Sequence, residues 1–215
     1  MYLGIDLGTS GVKALLVDDG QRPVASASAS LEVSRPHDGW SEQDPADWIA
    51  ATEEAVGALK LSHPQELAAV RGIGLSGQMH GATLLDASGA VLRPAILWND
   101  TRSHAEAAAL DADPRFRAVT GNIVFPGFTA PKLAWVKANE PAIFARVAKV
   151  LLPKDYLRLW LTGDYVSEMS DSAGTSWLDT GRRAWSPDLL AATDLGPQHM
   201  PALVEGTEAS GVLRG

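Results

Sequence analysis

Residues 2–7 (YLGIDL) and 12–18 (VKALLVD) are short apolar runs broken by single polar positions. They predict two strands, and the three to four residues between them close a hairpin. Asp18-Asp19-Gly20 turns the chain, and residues 23–33 alternate small, branched and polar side chains, which predicts a third strand. Three strands joined by tight turns make an antiparallel meander. After the loop SRPHDGWSEQ, Asp44 and Pro45 give an N-cap and a first helical position. Trp48, Ile49, Thr52, Val56 and Leu59 then recur at helical spacing through residue 60. Residues 70–75 predict a buried strand, and residues 82–86 and 91–98 a second hairpin about Ala87-Ser88-Gly89. A helix from Thr101 or Ser103 to Leu110 and a short one over 114–120, closed by Gly121, follow. The second half predicts a helix from Pro131, another turn or two from Pro141, a buried strand over 147–153, a helix closed by Gly163 and a last helix over 186–193. Trp135 and Trp160, at helical spacing, read as core. The order is a mixed α/β fold, not a regularly wound parallel sheet. No internal repeat is present.

Composition narrows the classes. The 215 residues suffice for one large domain or two small ones. Without cysteine there is no disulfide framework, thiolate chemistry or Cys-ligated zinc. A reducing cytoplasm is the natural compartment; no signal peptide and no membrane-length apolar run is seen. The net charge of −8 argues against a nucleic-acid surface. It leaves an anionic ligand open, because backbone N–H groups and a metal ion supply local positive field.

Two phosphate-binding patterns are absent. No G-x-x-x-x-G-K-[ST] occurs. Gly72-Ile-Gly74-Leu-Ser-Gly77, with Asp100 further on, has the outline of a dinucleotide fingerprint. That fingerprint needs a helix directly after its third glycine to hold the pyrophosphate. Here Gly81 and Gly89 break any helix, and the apolar residues between them run like a strand.

The opening GIDLGTSGVK carries a different chemistry. Turn residues explain Gly8 and Gly11. They do not explain Asp6, whose carboxylate is costly in an apolar strand unless compensated. A metal-bound nucleotide compensates it. The N–H groups of Gly8 to Gly11 would face a phosphate, Thr9 and Ser10 add hydroxyls, Lys13 adds a cation, and Asp6 would hold Mg²⁺ directly or through water. The stretch resembles the first phosphate loop of the actin–hexokinase–chaperone superfold, an actin-like, ribonuclease H-like ATPase domain. That resemblance implies ATP as cofactor, with Asp6 its catalytic and metal-binding residue.

A second cluster narrows the family. GLSGQMHG (74–81) and ILWNDTR (96–102) resemble the FGGY carbohydrate kinases, and Gln-Met-His-Gly resembles the xylulose kinases among them. FTAPKLAWVKANEP (128–141), LLPKDYLRLWLTGDY (151–165) and SDSAGTSWLD (170–179) match in order, although Ala138 stands where a polar residue is usual. Trp40 with Ser41 and Glu42 resembles a G-W-x-E-Q motif of the family. In that setting Gln78, neutral His80 and Asn99 can read sugar hydroxyls, and Met79 fills shape. Trp98 reads either as a core tryptophan or as a wall against sugar C–H groups. Asp100 reads either as a helix cap or as an acceptor for a sugar hydroxyl. Asp171 reads as a structural turn residue.

The resemblance implies transfer of the γ-phosphoryl of MgATP to D-xylulose in a cytoplasmic enzyme that touches neither nucleic acid nor membrane. Ribulose, gluconate or glycerol as acceptor, or a non-enzymatic sugar-binding module, are the alternatives. Residues 1–215 would be the N-terminal sugar-binding domain of a protein roughly twice this length, inactive alone. The base, an Asp in a Gly-Gly-Asp-Asn type motif, would lie beyond Gly215 with the nucleotide-binding domain. A homodimer of the full-length protein stays open.

Overall fold

The computed structural model describes residues 1–214, which form two compact units. The first comprises Met1–Val33 and Asp44–Gln78, the second Ser34–Gln43 and Met79 onward.

In the first unit, β1 (Tyr2–Leu7), β2 (Gly11–Val17) and β3 (Pro23–Ser30) form the expected antiparallel meander. The strand Ile73–Gly77 adds parallel to β1 and completes a mixed sheet. Period two sorts the residues: Leu3, Ile5, Leu7, Val12, Ala14 and Leu16 are buried, while Tyr2, Asp6 and Lys13 are exposed. The helix α1 (Pro45–Ser62) covers the apolar side with Trp48, Ala51, Ala55 and Leu59. The Asp44 side chain accepts from the Ala46 N–H, the cap foreseen from Asp-Pro. A short helix, α2 (Pro64–Ala68), was not foreseen; Pro64 stands in its first turn.

The predicted strand at 70–75 lies instead at Ile73–Gly77, and it is not buried. Its residues sit at one margin of the sheet, with Ile73 38% exposed. The apolar letters marked the strand correctly, but they could not say that only one long side of it is paired.

The second unit has its own core, in which Ala82, Leu84, Ile96, Phe116, Leu133 and Trp177 pack together. The predicted hairpin over 82–98 is present in part: its arms meet at two isolated antiparallel bridges, Leu85 with Val91 and Ala82 with Ile96, rather than as one continuous ladder. Thr83–Leu85 pairs with Lys149–Leu151, and Ala95–Ile96 pairs with Glu42–Gln43. Long-range partners displaced the rest of the local ladder. The helix Thr129–Asn139 begins two residues before Pro131 and is buried nearly all round its first two turns. Trp135 is in the core as expected. The predicted closures by left-handed Gly121 and Gly163 are present, with φ of 72° and 85°.

Candidate active site

The hairpin places a polar row on the open side of the first unit's sheet. Register sets Asp6 opposite Lys13 on β2 and opposite Ser76 on the parallel strand. Ser76 Oγ donates to Asp6 Oδ1 at 2.6 Å, fixing one carboxylate oxygen. Asp6 is exposed, so its charge keeps solvent or a ligand as partner. Gly11 has a definite reason to be glycine: a Cβ there would meet the Ala29 carbonyl oxygen at 2.6 Å. Neither Gly8 nor Gly11 has positive φ. The Gly8 N–H is spent on the Gly11 carbonyl at 2.9 Å, which corrects the expectation that it faces a phosphate. Thr9 donates its hydroxyl to Gln78 Oε1 at 3.1 Å. Gln78 is only 6% exposed, and its N–H extends the strand pairing onto the Leu7 carbonyl. Its side-chain oxygen braces the loop.

In the second unit the chain turns sharply at His80. The Gly81 N–H donates to the Met79 carbonyl at 2.8 Å across a single residue, and His80 sits at φ 66°. This is the strained, positive-φ form of a γ-turn, which persists only where the surroundings impose it. A Cβ on Gly81 would meet Pro153 Cγ at 2.6 Å, so only glycine lets the turn seat. The imidazole lies against Gly174, where a Cβ would fall 2.2 Å from His80 Cε1. Phe128 meets the ring edge-on at 4.8 Å, and Phe125 stands 6.4 Å away. Burial and the nearby Lys132 charge pull His80 down from 6.5 to about 4, against a smaller opposing effect from the Gly174 backbone. The ring is therefore neutral at physiological pH and can donate from one nitrogen and accept at the other.

Trp98 and Met79 are each 44% exposed, and Phe125 is 41%. A Cβ on Gly127 would meet Phe125 Cε2 at 2.6 Å and the Trp98 carbonyl oxygen at 2.9 Å. The bare Gly127 thus lets the Trp98 backbone and the Phe125 ring close on one another. Asn99 is exposed on the same turn. Trp98 is not a core tryptophan; of its two readings, the wall is the one its exposure fits.

Asp100 departs from its expected place. It is 1% exposed, and its oxygens accept from the Ser41 N–H at 2.6 Å, from the Arg102 N–H and from the Arg102 guanidinium at 2.7 and 2.9 Å. Both oxygens are thus occupied by Ser41 and Arg102, which makes Asp100 an internal anchor of this turn. Arg102 continues to Glu42 at 2.7 Å, and Trp40 lies over its guanidinium at 3.5 Å. Arg93 and Glu140 extend the network. Ser41, Glu42 and Gln43 of the G-W-x-E-Q stretch are buried, and with the partly buried Trp40 they support the Trp98–Asn99 turn. Asp171, read as a turn residue, pairs with Lys154 at 2.7 Å, and burial raises it to about 6.

Lys132, Gly174, Phe125 and Phe128 were not singled out from the sequence. The available signal for Lys132 was a cation inside an otherwise apolar helical run. Gly174 and Phe128 act through neighbours remote in sequence.

Among solved structures, a crystal structure titled as a xyloylose kinase from Brucella ovis superposes with a TM-score of 0.98 at 72% identity, over 99% of this chain and 45% of that one. The fold is thus the actin-like α/β ATPase architecture of the sugar kinases. The FGGY family of carbohydrate kinases, N-terminal domain, matches residues 1–215, and the chain belongs to that family. Two curated relatives are xylulose kinases. That of Escherichia coli K12 is 56% identical over 99% of this chain and 44% of its own length. That of Klebsiella pneumoniae is 58% identical over 100% and 44%. The chain therefore spans less than half the length of the curated relatives it matches. Among the described residues, no helix is long and apolar enough to cross a membrane.

Proposed function

We propose that the full-length protein phosphorylates D-xylulose from MgATP, and that these 215 residues supply the sugar-binding part and the first phosphate loop. The observation that carries the reading is the neutral His80 at a strained turn, presented within a Gln-Met-His-Gly stretch, in a chain 56–58% identical to xylulose kinases throughout. A neutral imidazole, the exposed amide of Asn99 and the half-exposed Trp98 together suit a polyhydroxylated acceptor with an apolar carbon face.

Asp6 is the residue to hold Mg²⁺. Among the described residues, no group of three metal-ligating side chains exists. A lone exposed carboxylate with one oxygen braced by Ser76 fits an ion that keeps most of its waters and binds phosphate oxygens. When bound, that ion would neutralise charge on the transferring phosphoryl group. Lys13, directly across the hairpin from Asp6, would add a second positive charge, and Thr9 and Ser10 lie on the connecting turn. The proton of the attacking hydroxyl is assigned to an aspartate outside these 215 residues.

The test is a panel of D-xylulose, D-ribulose, gluconate and glycerol with ATP and Mg²⁺, assayed for ADP release by the full-length protein. D-xylulose should give the highest kcat/KM. A higher value with another acceptor would overturn the sugar assignment, and binding without turnover of any of them would favour a sugar-binding module.

A further inference from the structure

The helix Thr129–Asn139 carries a lysine with no surface at all. Lys132 is 0% exposed. Its Nζ donates to the backbone carbonyls of Gly127, of Phe128 at 2.9 Å and of His80 at 3.4 Å. Those carbonyls are not incidental. One belongs to His80, the central residue of the strained turn. The other two belong to the segment that brings Phe128 edge-on to the imidazole and Gly127 against the Trp98 carbonyl. Thr129, at the start of the same helix, adds a hydroxyl to the His80 carbonyl at 3.1 Å.

A buried ammonium is costly, and one with only carbonyl partners is costlier than one paired with a carboxylate. Asp100 is the acid whose charge acts on it, but its oxygens are spent on Arg102 and Ser41. A site that needed only a filled core would carry leucine or methionine here. Carbonyl oxygens collected around one cation point to a task of holding backbone. We propose that Lys132 is a positioning residue, whose ammonium ties the His80 turn to the Gly127–Phe128 backbone and so sets where the imidazole meets the acceptor sugar. The proposal rests on the reading of His80 as an acceptor-binding residue.

The charged and titratable neighbours are few. Burial lowers Lys132 to about 7, Asp100 pulls it back up, Arg102 pushes it further down, and the neutral His80 ring adds no charge. A protonated lysine has three N–H donors for its three carbonyls; the neutral amine has two and drops one.

Two measurements on the full-length protein test this. Lys132→Met keeps length and apolar bulk but removes all three bonds. It should raise the KM for D-xylulose by roughly tenfold or more, the loss expected when buried carbonyls are left unpaired, with the KM for ATP within about twofold. Unchanged or equally changed constants for the two substrates in a folded variant would overturn the proposal. Should Lys132→Met fail to fold, the unmutated protein decides. Its sugar Kd by calorimetry without nucleotide should weaken as pH rises from about 6 to 9, because the third donor is lost; a flat profile would overturn it. Failure of the acceptor assignment reads separately, as no turnover of D-xylulose by the unmutated protein, and the clamp is then judged with the acceptor that is phosphorylated.

Discussion

Asp6 and His80 are held by contrasting means. Asp6 stands on a central strand whose register with β2 and with Ile73–Gly77 fixes its backbone, and its side chain is left open. One hydroxyl braces one oxygen, and the rest of the carboxylate faces outward. His80 stands on a turn that no sheet fixes, at an unfavourable φ, and its carbonyl, ring and following glycine are each constrained by a residue 49 to 94 positions away in sequence or in close contact from Pro153. A regular element gives a charged group its position with little supporting packing. A strained turn gives a neutral group a position only while distant residues enforce it. Charge that must meet a mobile, hydrated ion is suited to the first arrangement. Hydrogen bonds that must match the hydroxyls of one sugar are suited to the second.

The largest expected effects come from crossing the two. Asp6→Ala in the full-length protein should lower kcat by about 10³-fold, the scale of losing a preorganised charge at a transferring group, with sugar Kd unchanged within about twofold by calorimetry. His80→Ala should do the reverse, raising the KM for D-xylulose by roughly 10- to 100-fold while the KM for ATP stays within about twofold. Parallel losses for both ligands in either variant would break the contrast.

Gly174→Ala sharpens it. The new methyl would stand 2.2 Å from His80 Cε1, so the ring has to move. About a tenfold rise in sugar KM is expected, since overpacking costs ~1–3 kcal/mol, with the ATP constant unaltered. A variant that binds sugar normally would show that the ring has room to give, and the turn would then be less constrained than its contacts imply.

The smallest effect concerns protonation. Burial, then Lys132, lowers His80 from 6.5 to about 4. The folded state therefore binds fewer protons than the unfolded state between these values. His80 contributes its full share above about pH 6.5, and that share is lost as pH falls toward 4. The His80 Cε1–H resonance should show no imidazole protonation step from pH 8 to about 5.5, only the smaller displacement passed on as Lys132 titrates near 7. A midpoint near 6.5 would mean that the ring is solvated and the turn open.

Much of this was legible in the sequence. The meander, the Asp44 cap and the glycine closures are local, and period and turn chemistry revealed them. The outward placement of Asp6 was legible because a carboxylate inside an apolar strand requires a reason. The failures share one cause. Asp100 looked available because the sequence shows neither the Ser41 N–H, 59 positions away, nor which way the Arg102 guanidinium folds. The bond by which Gln78 braces the loop was invisible because its partner Thr9 is 69 positions away. Lys132 was not singled out because its three carbonyl partners make no pattern in the letters.

The strand Ile73–Gly77 has one further consequence. Its five residues carry no charge and no proline, they include two glycines, and one long side has no strand beside it among the described residues. Natural sheets blunt such a margin with lysine, proline or a bulge, because an open row of amides and carbonyls recruits strands from other molecules. None of those guards stands here. In isolation, this margin is therefore a place where these 215 residues can recruit a strand from another molecule.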